Sequence, residues 1–221
     1  MTPRDAIATR LEDDPAGLSR NPFATRYVAS ARLAALDEAG RPRDIGEIAD
    51  LVIGRGRRNA IVGGHGSGKS TLLWQLADAL EDRAIVVTRS RVRRRADLVR
   101  VVAGIRTTPH GGIVCIDGWE MLGAAGRMLT GLVASVNAVG MLVTAHRRGL
   151  PRTLVECRTS PALLRALVAS LPGRDRWFGV VVDDRDLEEC FRDSSGDVRR
   201  AFDLLYDRFE RRRTTRGDPP R

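Results

Sequence analysis

The chain contains a single lysine, Lys69, among 37 lysine and arginine residues counted together. It stands in the run Gly63, Gly64, His65, Gly66, Ser67, Gly68, Lys69, Ser70, Thr71. That run fits G-x-x-x-x-G-K-[ST], the phosphate-binding P-loop, at every fixed position. Glycines let the backbone fold tightly, so that its N–H groups point at a triphosphate, and a following helix N-terminus adds favourable partial charge. In this reading Lys69 neutralises the β- and γ-phosphates and Ser70 holds Mg²⁺. An ammonium point charge is retained at the one position that calls for it, in a chain that otherwise uses arginine. His65 occupies a variable position of the loop and reads as a spacer.

The second chemical stretch is Ile113-Val114-Cys115-Ile116-Asp117. Four apolar residues ending in a carboxylate form a Walker B pattern: a buried strand, expected beside the P-loop strand, whose terminal Asp117 orders the Mg²⁺ hydration shell. The next acid is Glu120, in Asp117-Gly118-Trp119-Glu120. If Gly118 turns the chain sharply, Glu120 is placed to polarise an attacking water; otherwise it is a loop carboxylate. The His and Cys residues are too scattered for a metal cluster, and no Ser-His-Asp arrangement is present. His110 sits in a turn and receives no role.

These groups need strands and helices to hold them. Ala60-Ile61-Val62 reads as a short buried strand feeding the loop, and Leu72, Leu73, Leu76 and Leu80 recur at helical spacing after it. Ala84-Ile85-Val86-Val87-Thr88 is expected as a second strand, followed by a basic run from Arg89 to Arg95 that opens a helix with Leu98, Val101, Val102 and Ile105. Ile113 to Asp117 is a third strand, a helix covers 122–137, Met141 to His146 is a fourth strand and Leu154 to Cys157 a fifth. Alternation of this kind implies a parallel sheet with the site at the strands' carboxyl ends. Before the loop, 29–36 is a short helix or turn, and Asp44 caps a helix with Ile45, Ile48, Leu51 and Val52 on one face, ended by Gly54 and Gly56. After the fifth strand only helices are expected. Pro161 starts one after the cap Ser160, with Val180 to Val182 a short extended piece. Asp183 or Asp184 caps another, and the last covers 196–212. Trp74 is expected in the core and Trp177 in the packing of the helical part.

Composition bounds the rest. At 221 residues with 43% hydrophobic content, the chain has room for one sizeable domain and a small appended one. No apolar run is long enough to span a bilayer and the first residues have no signal-peptide core, so a cytoplasmic protein without membrane contact is expected. Cys115, Cys157 and Cys190 sit singly in apolar segments and read as reduced, buried thiols. The formal charge of +9 admits a nucleic-acid surface, although 28 acidic residues are interspersed with the basic ones.

With these residues in hand, the chain resembles the AAA+ ATPases across roughly 44–212. Thr144 ends the fourth strand, with His146 nearby, where the family carries a polar sensor 1. Ser195-Gly196-Asp197-Val198-Arg199-Arg200-Ala201-Phe202-Asp203-Leu204-Leu205 is similar to the lid helix of initiators and clamp loaders. There a G-D-x-R motif supplies the sensor 2 arginine, which corresponds to Arg199. Asn21-Pro22-Phe23 looks like the segment preceding the P-loop in initiator-type members, making Arg26 and Tyr27 candidates for a place near the adenine. The chain departs from the family in two respects. Gly118 holds the position of the usual catalytic Glu, a pattern closer to NACHT and other signalling NTPases, and no arginine finger can be chosen among Arg127, Arg147 and Arg148.

The sequence therefore implies a P-loop NTPase with a parallel five-stranded sheet, flanking helices and a small all-helical lid. The expected divisions are an N-terminal, partly disordered segment 1–43, a nucleotide-binding α/β domain 44–158, a lid 159–212 and a disordered tail 213–221. The implied function is slow Mg²⁺-dependent hydrolysis of ATP to ADP and phosphate, with nucleotide state switching lid angle and self-assembly or binding of a protein partner. The alternatives are a non-hydrolysing ATP-sensing adaptor and a P-loop small-molecule kinase.

Overall fold

Strands of five or six residues leave their backbone groups unpaired in isolation, and the chain joins five of them into one all-parallel sheet. The computed structural model describes residues 21–28, 33–54, 58–149 and 151–215. They divide into two compact units. An α/β unit comprises Ala34–Asp37 and Pro42–Arg158; a helical unit takes in 21–28, Leu33, Glu38–Arg41 and 159–215. The expectations for 1–20, for Gly56 and for the last six residues fall outside the described residues.

In chain order the helices begin with α1 (Thr25–Val28), a single turn in the helical unit, and α2 (Ile45–Gly54) in the α/β unit. Asp44 caps α2: its carboxylate accepts the Glu47 N–H at 2.9 Å. The α/β unit continues with β1 (Arg58–Gly63), α3 (Lys69–Glu81), β2 (Val87–Arg91), α4 (Leu98–Thr107), β3 (Ile113–Asp117), α5 (Gly123–Val136), β4 (Gly140–Ala145) and β5 (Arg152–Cys157). The strand order is β2-β3-β4-β1-β5. The expectation that the Asp117 strand lies beside the P-loop strand is corrected here. β4 lies between them, pairing with β1 on one side and β3 on the other.

Period-2 alternation assigns each side chain to a face. Ala60 and Val62, Val114 and Ile116, Met141 and Val143 share one core with Val101 and Ile105 of α4 and Ala134 of α5. Ile61, Cys115 and Leu142 share the other with Leu72, Leu73, Leu76 and Leu80 of α3 and Ala49 and Val52 of α2. With both faces covered, β1, β3 and β4 are buried along nearly their whole length, which is why they read as continuous apolar runs.

The second strand is displaced from its expected place. Ala84 adopts φ +59° in a turn, where the Ile85 N–H returns to the Leu80 carbonyl at 3.1 Å, and β2 runs from Val87 through Arg91. Arginines are accommodated because β2 is an edge strand, where outward side chains reach solvent and acids. Arg89 bonds Asp78 and Glu81 at 2.5 and 2.8 Å. The segment expected as helix over 29–36 is not helical where it is described; Leu36 makes an antiparallel bridge with Pro42.

The helical unit adds α6 (Pro161–Ala169), α7 (Arg174–Trp177), α8 (Asp184–Asp193) and α9 (Val198–Thr215). Ser160 caps α6 by accepting the Leu163 N–H at 3.0 Å, and Asp183 and Asp186 cap α8 reciprocally at 3.0 Å. Between α7 and α8, Val180–Val182 form a turn closed by one Phe178–Val182 bridge rather than a strand. Phe23 is the aromatic keystone, with ring centroids 5.2 Å from Trp177 and 6.2 Å from both Phe202 and Phe209. Asn21 fixes this segment. Its amide donates to the Tyr206 carbonyl at 3.0 Å and to Glu210 at 2.9 Å, and its oxygen accepts the Phe23 N–H at 2.9 Å. Among the described residues, no helix is long and apolar enough to cross a membrane.

Candidate functional site

The loop between β1 and α3 is built on one tight contact. A Cβ at residue 63 would come within 2.3 Å of the Cys157 carbonyl oxygen and 2.6 Å of Ser67 Oγ, so β5 and the loop admit only glycine there. At Gly64 and Gly68 the opposite holds: a Cβ would meet nothing within 4 Å. Lys69 opens α3 immediately after this space, and a cation at a helix N-terminus favours an anion such as a phosphate. Ser67 Oγ and Lys69 Nζ both donate to the Gly64 carbonyl, at 2.9 and 2.5 Å. Lys69 is buried, and burial of its ammonium is tolerated because it is hydrogen-bonded.

Ser70, Asp117 and Thr144 meet at the strands' carboxyl ends. Ser70 Oγ donates to Asp117 Oδ1 at 2.8 Å, and Thr144 Oγ1 donates to the same oxygen at 3.0 Å. Thr144 also accepts the Gly118 N–H at 2.9 Å, so one buried hydroxyl fixes both the carboxylate and the turn that follows it. The donor set of a serine hydroxyl and a carboxylate suits a hexacoordinate, water-rich Mg²⁺. The other Asp117 oxygen accepts from Arg91 Nε at 3.2 Å, and the Arg91 guanidinium lies 5.7 Å from the Trp74 ring centroid. Trp74 is half-buried: it packs against the core, as expected, and carries Arg91 over its ring. Arg91 was hidden in the sequence by its basic neighbours. The available signal was alternation in Val87-Thr88-Arg89-Ser90-Arg91, which places Arg91 opposite Asp117 in the β2–β3 register.

Gly118 has φ +89°, and a Cβ there would lie 2.4 Å from the Val92 carbonyl oxygen. The sharp turn leads into a 3-10 turn at Trp119–Leu122 that carries Glu120. The Glu120 carboxylate accepts the His146 N–H, and His146 Nδ1 is 3.2 Å from the Gly63 carbonyl. The rings of His65 and His146 meet at a tilt of 40° with centroids 4.1 Å apart, which brings the apparent spacer His65 into contact with the end of β4. Sequence spacing gave no sign of that pair.

Arg199 is exposed at the start of α9 in the helical unit. The acid of its motif serves the backbone locally, since Asp197 accepts the N–H groups of Arg199 and Arg200 at 2.9 and 3.1 Å. Arg26 lies 5.5 Å from the Tyr27 ring centroid, in the same unit. All three cysteines are buried and free. Burial pushes the Cys115 thiol up to about 12, and burial likewise raises Cys157 against the opposing pull of Arg43 and Lys69. Among the described residues, no group of His, Cys, Asp and Glu forms a metal cluster.

No family model matches the chain, and no curated protein matches it. Eleven chains of solved structures match. Among them the structure of C. elegans PCH-2, an AAA+ ATPase, is similar with a TM-score of 0.42 and 13% identity, over 76% of this chain and 67% of that one. The parallel five-stranded sheet, its flanking helices and the glycine-rich loop at the end of β1 constitute a P-loop NTPase-like fold.

Proposed function

We propose that the chain binds Mg·ATP at the Gly63–Lys69 loop as an AAA+-type protein, hydrolyses it slowly, and uses nucleotide state to switch the helical unit and a protein contact. The observation that carries this reading is the convergence of Ser70 and Thr144 on Asp117 Oδ1, at 2.8 and 3.0 Å, beside a loop whose Gly64 and Gly68 face open space. Gly63, Gly64, His65, Gly66, Ser67, Gly68, Ser70 and Thr71 line the phosphates, and Lys69 neutralises them. Ser70 and Asp117 hold the metal, which when bound draws charge from the β- and γ-phosphates. Thr144 orients Asp117 and is the sensor 1 group. Glu120 holds an attacking water, and Arg199 reports the γ-phosphate from the lid. The chain associates with further copies of itself or with a protein partner in this reading, and works in the cytoplasm.

A second reading, an ATP sensor without turnover, is favoured by the Val92 carbonyl, which bars a catalytic Glu from position 118. Calorimetric titration of ATP with and without Mg²⁺, together with steady-state ATPase of wild type, Lys69→Ala and Glu120→Gln, separates the two. The first reading expects Mg²⁺-dependent binding lost in Lys69→Ala, and turnover at least tenfold lower in Glu120→Gln. Tight binding without turnover in wild type would establish the sensor, and failure to bind ATP would sink both.

A further inference from the structure

Helix α5 is packed the wrong way round for a helix facing water. Its buried residues are the small ones, Gly126, Thr130, Gly131 and Ala134. Val133 packs against the core, but the other large apolar residues point out: Met128 is 77% exposed, Leu132 61% and Val136 75%, a stripe at i, i+4 and i+8, with Leu129 beside it. Scattered exposed leucines need no explanation, but a contiguous stripe on one helix face marks a contact surface.

The stripe runs into a cavity of about 800 Å³ in the same α/β unit. Met128 belongs to both, and Trp119 and Met141 supply further apolar wall. Five arginines border the cavity, and Glu120 and His146 of the candidate site line it as well; the Glu120 carboxylate is taken up by the His146 N–H. Arg58 is committed, donating to the Gly131 carbonyl and Ser135, and Arg148 pairs with Glu156 at 2.6 Å. Arg127, Arg147 and Arg152 have no acidic partner among the described residues. An apolar stripe, a cavity with apolar wall and three guanidinium groups without an acidic partner among the described residues thus adjoin one another.

We propose that this surface docks an acidic amphipathic helix of a protein partner, its apolar residues seated on Met128, Leu132 and Val136 and in the cavity, its carboxylates on Arg127, Arg147 and Arg152. Helix-in-groove recognition needs this combination: apolar anchors at i/i+4 spacing for burial, and rim charge for orientation and encounter rate. A nucleic acid fits it less well. Phosphodiesters would leave the apolar stripe uncovered, and Trp119 is too buried to offer a face for base stacking. An anionic bilayer could cover the stripe but could not fill a concave cavity. The cavity shares Glu120 and His146 with the candidate site, so the proposal is decided by peptide binding and not by ATPase activity.

The test is a display selection of random 16-residue peptides on the immobilised full chain at about 0.15 M salt. Fluorescence anisotropy follows with wild type, Leu132→Asp and the Arg127→Glu/Arg152→Glu double variant, each checked for an unchanged melting curve. The expected result is enrichment of peptides with Leu, Ile or Phe at helical spacing flanked by Asp and Glu, and tenfold or greater weakening by both variants. The proposal is overturned if nothing is enriched, or if enriched peptides lack acids or bind both variants within twofold of wild type. It is also overturned if a single-stranded dT oligonucleotide, or vesicles of equal phosphatidylglycerol and phosphatidylcholine, bind more tightly with the same variant dependence. Sedimentation that shows a dimer abolished by Leu132→Asp would replace the partner with a second copy of this chain.

Discussion

The carbonyl oxygen of Val92 occupies the place that a side chain on residue 118 would need, 2.4 Å from where its Cβ would be. The same residue's N–H donates to the Asp117 carbonyl at 2.8 Å, so β2's extension and the Asp117 turn are locked face to face. Placing a glutamate at position 118 is therefore expected to harm the protein. Gly118→Glu adds strain at a positive φ of about 2 kcal/mol and forces Val92 away. Its melting temperature is expected to fall by roughly 4–8 °C, with no gain in ATPase. A stable and faster variant would show that the turn is not the constraint described.

In the proposed reading, Arg91 and a divalent cation compete for Asp117. The ion pair is half-exposed and spans 3.2 Å, so its net worth is at most about 1 kcal/mol. Arg91→Gln is expected to lower the Mg²⁺ concentration that half-saturates ATP binding, by up to about fivefold. A raised Mg²⁺ requirement would mean that Arg91 holds the nucleotide rather than opposing the metal.

Asp186 ties α8 to α9. Burial alone would raise its carboxyl, but Arg212, its own Asp183 N–H and Arg208 outweigh burial and hold it below the usual carboxylate range. Arg208 reaches it at 2.7 Å and Arg212 at 2.5 Å. A depressed folded-state value stabilises above the unfolded-state value, near 3.9, and that contribution is lost as pH falls through the lower folded-state value. Asp186→Asn is expected to cost about 2 kcal/mol at neutral pH and to shrink the loss of stability below about pH 4. Chemical denaturation at pH 7 and pH 3 checks both parts.

Cys115 is sealed between β2, β4 and α3, and burial lifts its thiol to about 12. Iodoacetamide at pH 8 is expected to leave it unmodified in the folded chain and to modify it fully in denaturant, measured by peptide mass. Modification of the native protein within minutes would mean that the sheet opens locally.

Much of the fold was legible because the sheet is covered on both faces. Ala60–Val62, Ile113–Ile116 and Met141–Val143 had to be continuous apolar runs, and they are the three central strands. The edge was not legible. β2 carries arginines outward, and hydrophobicity alone shifts it three residues too early. Strand order was also hidden, since nothing in Ile113–Asp117 tells whether its neighbour is β1 or β4. Within the site, Lys69, Ser70 and Asp117 announced themselves by residue type at fixed spacing. Arg91, Val92 and His146 did not, because their places depend on backbone paths that cross from other strands.

The solitary lysine has a practical corollary. A protease that cleaves after lysine has one target bond in the whole sequence, Lys69–Ser70, at the first turn of α3. Digestion can produce only two pieces, and any cut registers an excursion of the phosphate loop away from its folded position. The chain thus carries its own built-in reporter: the lifetime of the intact band on a gel is a clock for loop opening, and a ligand that seats there should stop it.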